Sequence, residues 1–224
     1  MPHLLKTSFH QSSNVGLYLY TNNKFCLLSS IIPKKLEKPI HEVLKVPLIK
    51  TNLCGTNLNG VFASGNDHCL LLPQITLDAE LKNLEKNKIN YHIITTDHTA
   101  LGNNIIANNN AALISPDLAD YQSEIKKALK VKQIKTFSLG EIQTIGSLIA
   151  LTKKGVAVSN LASDKETSQI EHFFKIKAHK ATVNLGNPYI GAGLVVNNHG
   201  FIFGQRTGGP EAVHLDEVLG FLKS

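Results

Sequence analysis

Short apolar runs along the chain are separated by turn-forming residues, and this order recurs five times. The clearest copies are residues 59–73 (NGVFASGNDHCLLLP), 101–116 (LGNNIIANNNAALISP) and 145–159 (IGSLIALTKKGVAVS). Residues 14–30 and 192–204 follow the same order. In each copy a glycine precedes an apolar run, a turn containing Asn, Lys or Gly, and a second apolar run. This pattern is typical of a β-hairpin, because such turns need backbone conformations that Gly and Asn tolerate.

Five glycines give this pattern a period. They are Gly16, Gly60, Gly102, Gly146 and Gly193, at spacings of 44, 42, 44 and 47 residues. A nearly constant period of this length is the signature of a repeat architecture. We therefore expect one domain, residues 1–224, built from five similar units. The approximate repeats are 1–45, 46–88, 89–131, 132–177 and 178–224.

Each unit is predicted to contain a third strand and a helix. The extended segments that precede the glycines are 4–8, 47–51, 90–95, 132–137 and 178–184. After four of the hairpins, apolar residues spaced by three and four predict an amphipathic helix. The apolar positions are Leu77, Leu81 and Leu84; Leu118, Tyr121, Ile125 and Leu129; Ile170, Phe173 and Phe174; and Leu215, Val218, Leu219 and Leu222.

Helix-start signals support two of these helices. Ser115 followed by Pro116 has the order of an N-cap and a first helical residue, and Ser163 with Glu166 has the spacing of a capping box. Pro39 interrupts the run 34–45, so a short or broken helix is expected there.

The units must share a core, because three strands and one helix cannot bury both faces of the sheet alone. An open array needs polar units at its ends, but the last unit is as apolar as the inner ones. A closed ring also removes exposed sheet edges. The sequence therefore predicts an α/β fold, a pseudo-fivefold α/β propeller of strand-strand-strand-helix units with the helices outside.

Composition supports a folded protein without a membrane span. The 224 residues are 42% hydrophobic and 18% charged, and no apolar run approaches the roughly 20 residues that cross a bilayer. The first residues, MPHLLKTSFH, do not resemble a secretory signal, so a cytoplasmic location is expected. Cys26, Cys54 and Cys69 have no paired spacing, which favours small buried side chains over disulfides or a zinc site.

The net charge of +6 leaves a further interpretation open. It would suit a general RNA-binding protein, but the basic residues form no run of five, and aromatic residues that look exposed are scarce near basic clusters. A solvated lysine-rich surface explains the charge equally well.

Three stretches are closely similar to the translation initiation factor 6 family of archaea and eukaryotes. They are GVFASGNDHCLLLP, TALGNNIIANNNAALISPDL and ATVNLGNPYIGAGLVVNNHG, and the similarity runs through essentially the whole chain in order. The resemblance implies the pentein fold, a ring of five α/β units. It also implies the archaeal type, because eukaryotic members extend beyond the fifth unit with a phosphorylatable tail and this sequence stops at Ser224.

The resemblance further implies a function without enzymatic chemistry or a cofactor. Members of the family bind the intersubunit face of the large ribosomal subunit, prevent premature association with the small subunit, and act in late large-subunit maturation. They contact a large-subunit protein near the sarcin-ricin loop of the large ribosomal RNA, and a translational GTPase with a partner factor releases them. We expect the same partners here, with the protein acting as a monomer away from membranes.

The repeated glycines also suggest where the partner binds. Equivalent positions in five units should gather their loops on one face of a ring, where glycine permits close approach and Asn offers donors and acceptors. The predicted ribosome-binding residues are Asn14, Gly16, Asn59, Gly60, Val61, Gly102, Asn103, Asn104, Gly146 and Gly193. The alternative is that the glycines only satisfy strand geometry.

Two substitutions follow from this predicted site. Gly60→Arg and Asn103→Asp are both expected to weaken ribosome binding without unfolding the ring. The hairpin turns 65–66, 108–110 and 198–200 are expected only to reverse the chain, away from the partner.

Enzymes that modify guanidino groups share the pentein fold, so a catalytic function is the alternative hypothesis. Those enzymes place a cysteine nucleophile late in the chain, whereas no cysteine follows Cys69 here. His68 adjoins Cys69, but neighbouring residues on a strand point to opposite faces. Gly191 and Gly193 lack the third glycine of a dinucleotide fingerprint. No pair of histidines has a spacing that suits metal binding, so no metal site is predicted.

Overall fold

The computed structural model describes residues 2–222 and contains five three-stranded sheets. The strands are β1 (Leu4–Thr7), β2 (Leu19–Thr21), β3 (Cys26–Leu28), β4 (Leu48–Lys50), β5 (Ser64–Gly65), β6 (Leu70–Pro73), β7 (Tyr91–Ile94), β8 (Ile105–Ala107), β9 (Ala111–Ile114), β10 (Gln133–Thr136), β11 (Ile149–Leu151), β12 (Val156–Ser159), β13 (Ala178–Ala181), β14 (Leu194–Val196) and β15 (Phe201–Gly204). The helices are α1 (Lys34–Leu44), α2 (Asn59–Phe62), α3 (Asp78–Lys86), α4 (Leu101–Asn104), α5 (Gln122–Leu129), α6 (Ile145–Leu148), α7 (Asp164–Phe174), α8 (Ile190–Gly193) and α9 (Gly209–Val218), with 3-10 helices at Val15–Leu17 and Pro116–Tyr121.

All five sheets have the same construction, in which a hairpin is extended by a parallel strand. In the first sheet β2 and β3 are antiparallel, with Leu19 opposite Leu28, and β3 pairs in parallel with β4, with Cys26 opposite Leu48. Helix α1 connects β3 to β4, because two parallel strands need a crossover connection. The predicted hairpins, third strands and four later helices are confirmed. Leu77 and Leu222, predicted on the apolar sides of two helices, lie outside α3 and α9 and are exposed.

The first strand of the chain completes the last sheet. β1 pairs in parallel with β15, with Leu4 opposite Phe201, so the order in this sheet is β1-β15-β14. Every sheet is built in this way from two repeats. The strand that precedes each repeated glycine pairs with the hairpin of the previous repeat. The short helical turns contact one another in cyclic order, and α8 returns to Val15–Leu17. The five sheets stay separate, and the ring closes through these contacts.

Neighbouring units share their hydrophobic core. Ile125 and Leu129 of α5 lie in one buried cluster with Leu71 of β6, which belongs to the preceding sheet. Ile40 of α1 likewise lies in a cluster with Ile202 of β15. Each helix therefore buries its apolar side at a boundary between two sheets, which explains why a single unit could not be stable alone.

Helix α1 contradicts the expectation of a short or broken helix. It runs unbroken over 11 residues with Pro39 in its interior. Pro39 removes one backbone hydrogen bond, but Ile40, Val43 and Leu44 on the same helix are buried. Tertiary packing of this apolar side outweighs the local penalty, as it commonly does for helix propensity. The caps predicted at Ser115 and Ser163 are confirmed.

A lysine in the left-handed conformation follows four of the five long helices. Lys45, Lys88, Lys130 and Lys175 have φ between 53° and 56°, and Gly220 takes this place after α9 with φ of 74°. The left-handed region costs a residue with a Cβ atom roughly 1–2 kcal/mol, and glycine avoids the penalty. Four units therefore carry lysine where glycine would be less strained.

The strand directions give the ring two distinct ends. One end, the glycine face, consists of Val15–Leu17, α2, α4, α6, α8 and the loops that lead into them. The N-terminal ends of α1, α3, α5, α7 and α9 lie at this end too, because each follows a strand that runs toward it. The opposite end, the turn face, consists of the hairpin turns and the C-terminal ends of these five helices. No helix within residues 2–222 is long and apolar enough to cross a membrane.

Side chains of the hairpin turns connect neighbouring units on the turn face. Asn22 Nδ2 donates to Asn66 O at 3.0 Å, and Asn66 Nδ2 donates to Asn108 O at 3.1 Å. Asn197 Nδ2 donates to Asn22 O at 3.2 Å, which carries the pattern across the junction between the fifth and first units. The expectation that these turns only reverse the chain is therefore wrong, because their amides also join adjacent sheets.

Candidate functional site: the glycine face

The repeated glycines line the axis of the ring, where neighbouring backbones are in direct contact. A Cβ atom on Gly60 would overlap the carbonyl oxygen of Gly16, and one on Gly102 would overlap the carbonyl oxygen of Gly60. A Cβ atom on Gly146 would likewise overlap the carbonyl oxygen of Gly102. The glycines are therefore required for the close packing of the ring, whatever else approaches this face. Gly60→Arg is consequently expected to destabilise the ring, contrary to the sequence-based expectation.

The fifth member of this set is Gly191, and the spacing argument selected the wrong glycine. A Cβ atom on Gly191 would lie 2.6 Å from the carbonyl oxygen of Gly146, and one on Gly16 would overlap the carbonyl oxygen of Gly191. Gly191 follows Gly146 by 45 residues, which is closer to the other spacings than the 47 residues of Gly193. Gly193 instead lies against the side chains of Val183 and Asn184.

The structure separates the predicted site residues by their exposure. Asn14, Gly60, Val61, Gly102 and Asn103 are partly exposed on the glycine face. The buried ones are Gly16, Asn59, Asn104, Gly146 and Gly193.

The two buried asparagines of the predicted site, Asn59 and Asn104, are not accessible to a binding partner. Asn59 is fully buried, and its Nδ2 donates to Thr51 O at 2.9 Å while its Oδ1 has no partner among the described residues. Asn104 is 7% exposed. Their short helices turn these side chains toward the core, so they cannot reach a partner as the sequence suggested. Asn103 is half-buried, and Asn103→Asp is still expected to leave the ring folded.

Several exposed apolar side chains on the glycine face were not predicted. They are Ile75 (45% exposed), Leu77 (52%), Leu161 (52%), Leu185 (69%) and Tyr189 (42%). Exposed apolar side chains that gather at one end of a molecule are typical of a protein-binding surface. The sequence held one signal for them, because Leu185 stands between the turn formers Asn184 and Gly186, where burial is not expected.

Glutamates hold the loops of the glycine face in place. Glu80 accepts hydrogen bonds from the backbone N–H groups of Cys54 and Gly55 at 2.7 and 2.9 Å. Glu166 accepts from the Gly140 N–H at 2.7 Å. Each glutamate lies in the first turn of a long helix, where it also accepts a hydrogen bond from the backbone N–H of the N-cap residue. The loops therefore have a fixed shape before any partner binds.

Glu211 makes the most extensive of these contacts. Its carboxylate accepts hydrogen bonds from Thr182 Oγ1 at 2.6 Å and from the backbone N–H groups of Gly186, Leu185 and Gly208 at 3.0 to 3.1 Å. Burial raises the pKa of Glu211, but these hydrogen bonds outweigh it, and the net pKa lies below the ordinary value of 4.5. The ionised carboxylate therefore holds the loop that presents Leu185.

Glu211→Gln is expected to lower the free energy of unfolding by about 1–3 kcal/mol at pH 7, because charge-assisted hydrogen bonds are lost. A lowered pKa in the folded state gives stability that is present above the unfolded-state pKa and is lost as the pH falls through the folded-state value. The difference between wild type and variant should therefore shrink below about pH 4.5. Urea unfolding of wild type and variant at several pH values from 7 to 3 measures this difference in the free energy of unfolding. Glu217→Gln, at an exposed position on α9, is the control, and equal effects would contradict the assignment.

The cysteines lack the environment of a nucleophile. Burial raises the pKa of the Cys26 thiol to about 12 and that of Cys69 to about 11, and it also raises the pKa of Cys54. A reactive cysteine needs a lowered pKa, because the thiolate is the attacking species. No group of three or more His, Cys, Asp or Glu side chains that could hold a metal ion occurs within residues 2–222.

The five α/β units around an axis place the protein in the pentein class of folds. A solved structure of dimethylarginine dimethylaminohydrolase is similar to it, with a TM-score of 0.52 over 75% of this chain and 68% of that chain. The sequences are 11% identical, so this likeness shows the fold alone.

The sequence profile of the eIF-6 family matches residues 4–218. A protein named translation initiation factor 6 from Saccharolobus islandicus is 36% identical over 220 residues, which cover 97% of this chain and 99% of that protein. The protein of the same name from Methanocaldococcus jannaschii is 32% identical over 229 residues, or 99% and 100% of the two chains. The chain therefore belongs to the eIF-6 family, and these relatives are archaeal. The family resemblance and the pentein fold expected from the sequence are both confirmed.

Proposed function

We propose that the protein binds the large ribosomal subunit at its intersubunit face and prevents premature association with the small subunit. The family match over nearly the whole chain supports this role, because the relatives are named as translation initiation factors. In this proposal the protein also acts in late maturation of the large subunit. A translational GTPase with a partner factor then releases it, and all of this takes place in the cytoplasm with the protein as a monomer.

The observation that carries the proposal is the exposed apolar character of the glycine face. Leu185, Leu161 and Tyr189 offer apolar surface there, beside the half-buried Val61 and Asn103. Interface centres are poor in charge and rich in aromatic and apolar side chains. We infer that this face contacts a large-subunit protein near the sarcin-ricin loop. The loops are already held by glutamates, so little ordering is required on binding.

The alternative function, a guanidino-modifying enzyme, is not favoured. Its mechanism requires a nucleophilic cysteine, and burial raises the pKa of all three thiols. We propose a binding protein with neither catalytic chemistry nor a cofactor. Replacing the three cysteines with serine or alanine, in a variant that still folds, should leave the binding of large subunits unchanged.

Purified ribosomal subunits test the proposed function directly. The protein is expected to co-sediment with isolated large subunits and to reduce the amount of joined particles when small subunits are added. Small subunits alone serve as the control and should not carry the protein down. If the protein leaves subunit joining unchanged at concentrations that saturate the large subunit, the proposal fails.

Leu185→Asp is expected to weaken binding to large subunits at least about tenfold, because it puts a charge on the apolar surface of the proposed contact. It should not unfold the protein, since Leu185 has φ of 67°, a conformation that Asp tolerates better than Leu. Co-sedimentation titrations and thermal unfolding measure the two effects. Val213→Asp, at a 53% exposed position on α9 outside the glycine face, is the matched control. Equal losses for both variants would exclude Leu185 from the interface.

A further inference from the structure

The turn face carries exposed lysines that no carboxylate of the described residues neutralises. Lys45, Lys88, Lys130 and Lys175 follow four helices, and all four are exposed. None of the four forms a salt bridge or a side-chain hydrogen bond with another described residue. Lysines in the hairpin turns, such as Lys153, add to the same end of the ring. The net charge of +6 is therefore unevenly placed.

Acidic side chains lie mainly at the other end. Asp78, Asp164 and Glu211 are in the first turns of their helices, on the glycine face. Asp67 is the acidic residue of the hairpin turns, and its carboxylate accepts hydrogen bonds from Asn23 at 2.8 to 3.1 Å and from Asn109 at 2.7 Å. Exposed Glu42, Glu85 and Glu217 lie in the last turns of α1, α3 and α9, but lysines outnumber the carboxylates at this end, so the turn face carries a net positive charge.

Helix electrostatics alone do not explain the four lysines. A positive charge near a helix C-terminus is favourable, but α5 already carries Lys126 and Lys127 in its last turn, and α3 carries Lys86. These residues have helical backbones without strain. The lysines that follow the helices are in the left-handed conformation, which glycine would occupy more easily. A charged residue at a position where glycine would be less strained is a candidate for binding a ligand.

One of the four lysines, Lys175, lies beside an opening on the turn face, and the other three are spread around the ring. The hydrogen bonds that join successive turns run from Asn22 to Asn66 and on to Asn108, and no such side-chain bond links Asn108 to Thr152 in the part of the chain described. A hollow of about 520 Å³ opens at the centre of the turn face, where residues from the hairpin turns of all five units line it, and it extends to the boundary between the third and fourth units. Lys132, Lys153 and Lys175 line it, together with Asn109 and Asn110, and Asp67 is on its wall.

We propose that the turn face binds the phosphate backbone of duplex RNA. Lysine acts as a compact charge that contacts phosphates without reading bases. Tyr189, the strongly exposed aromatic residue of the described chain, lies on the glycine face. Phe173 and Phe174 line the turn-face hollow, but they are half-buried and buried, so they offer little surface for stacking unpaired bases. Duplex RNA is bound mainly through its shape, phosphates and 2′-hydroxyls. In the ribosome this ligand would be ribosomal RNA, a point that rests on the proposed function.

A charge-matched set of variants of the full chain tests the proposal. The first replaces Lys45, Lys88, Lys130 and Lys175 with glycine and lowers the net charge from +6 to +2. The second places arginine at the same four positions and keeps the charge. The third replaces Lys34, Lys35, Lys82 and Lys165, in the first half or at the middle of their helices, with glutamine and also has a net charge of +2. If the glycine variant fails to fold, asparagine at the same positions replaces it, because Asn tolerates the left-handed conformation.

The probe is a 20-base-pair RNA duplex of arbitrary sequence, titrated from 50 to 200 mM salt. The glycine variant is expected to lose roughly tenfold or more in affinity at 100 mM salt, and its slope of log K against log salt should fall by about 2–3, near 0.9 for each phosphate that the variant no longer neutralises. The arginine and glutamine variants should stay within about threefold of wild type at 100 mM salt. If the glycine and glutamine variants lose equal affinity, the loss depends on the net charge and not on the position of the lysines, and the proposal is overturned. Binding to anionic phosphatidylserine vesicles but not to the duplex would also overturn it.

Sedimentation with large subunits separates this proposal from the proposed function. If wild type binds large subunits and the glycine variant binds the duplex as well as wild type does, the RNA site is wrong and the function stands. If wild type fails to bind large subunits while duplex binding depends on the four lysines, the function fails and the RNA site stands.

Discussion

Gly60→Ala should lower the free energy of unfolding by about 3 kcal/mol, the upper range for overpacked sites. The added Cβ atom would overlap the carbonyl oxygen of Gly16, and it would lie 2.6 Å from the carbonyl oxygen of Leu19. Both oxygens belong to backbone in the neighbouring unit, so no flexible side chain can move aside. The ring would have to open at this boundary. Equilibrium unfolding in urea, followed by circular dichroism, measures the change.

Gly209→Ala is the matched control for this prediction. No atom outside its immediate neighbours lies within 4 Å of a Cβ atom at that position, and its φ is not in the left-handed region. The control variant should differ from wild type by no more than about 0.5 kcal/mol, or gain slightly in stability. If Gly60→Ala is as stable as its control, the glycines do not close the ring and the packing at the axis is wrong.

Asn66→Ala is expected to cost a similar amount, about 3 kcal/mol, because its buried hydrogen bonds are removed. Asn66 is 4% exposed. Its Nδ2 donates to Asn108 O at 3.1 Å and to Leu129 O at 2.8 Å, while its Oδ1 accepts from the backbone N–H groups of His68 and Cys69. The substitution leaves these four groups without their partners inside the protein. It also removes a connection between the second and third units.

Asn110→Ala tests whether the effect is specific. Asn110 lies in the next hairpin turn and is exposed, so its replacement should change the free energy of unfolding by less than about 0.5 kcal/mol. Thermal unfolding of both variants, with the pre-transition baselines compared, provides the measurement. Similar midpoints for the two would mean that the buried amide is not a structural connection.

The fold was predictable because its signals repeat. Any one apolar run of three or four residues is ambiguous between helix and strand, but the same run before a turn of Asn, Lys or Gly in five copies is not. Pro39 misled the prediction of α1, because the burial of Ile40 and Leu44 against another unit is invisible in a local sequence window. The pairing of β1 with β15 was equally hidden, since it joins residues about 200 positions apart.

The candidate site was less predictable than the fold. Glycine has two uses, close packing within a protein and close approach by a partner, and the sequence does not distinguish them. At Gly60 and Gly102 the structure shows the first use. Asn59 shows the same limit for polar residues, because an amide that looks suited to a partner is fully buried. Leu185 is the converse case, because its place between two turn formers indicated exposure, but the sequence did not show that it lies near other exposed apolar side chains.

The distribution of charge suggests that the two ends of the ring bind different partners. Five of the eight exposed large apolar side chains of the described residues lie on the glycine face, and the four lysines without salt-bridge partners lie on the turn face. An apolar face suits a protein partner, and a lysine face suits phosphates. The two proposals therefore concern opposite ends of one ring, and a substitution at one end is expected to leave binding at the other end intact.

A cryo-electron microscopy map of the protein bound to the large ribosomal subunit tests the central claim most directly. The account predicts density for the ring on the intersubunit face, with Leu185 and Tyr189 of the glycine face against a large-subunit protein. A ring bound through the outer sides of α1, α3, α5, α7 and α9, with the glycine face open to solvent, would contradict it.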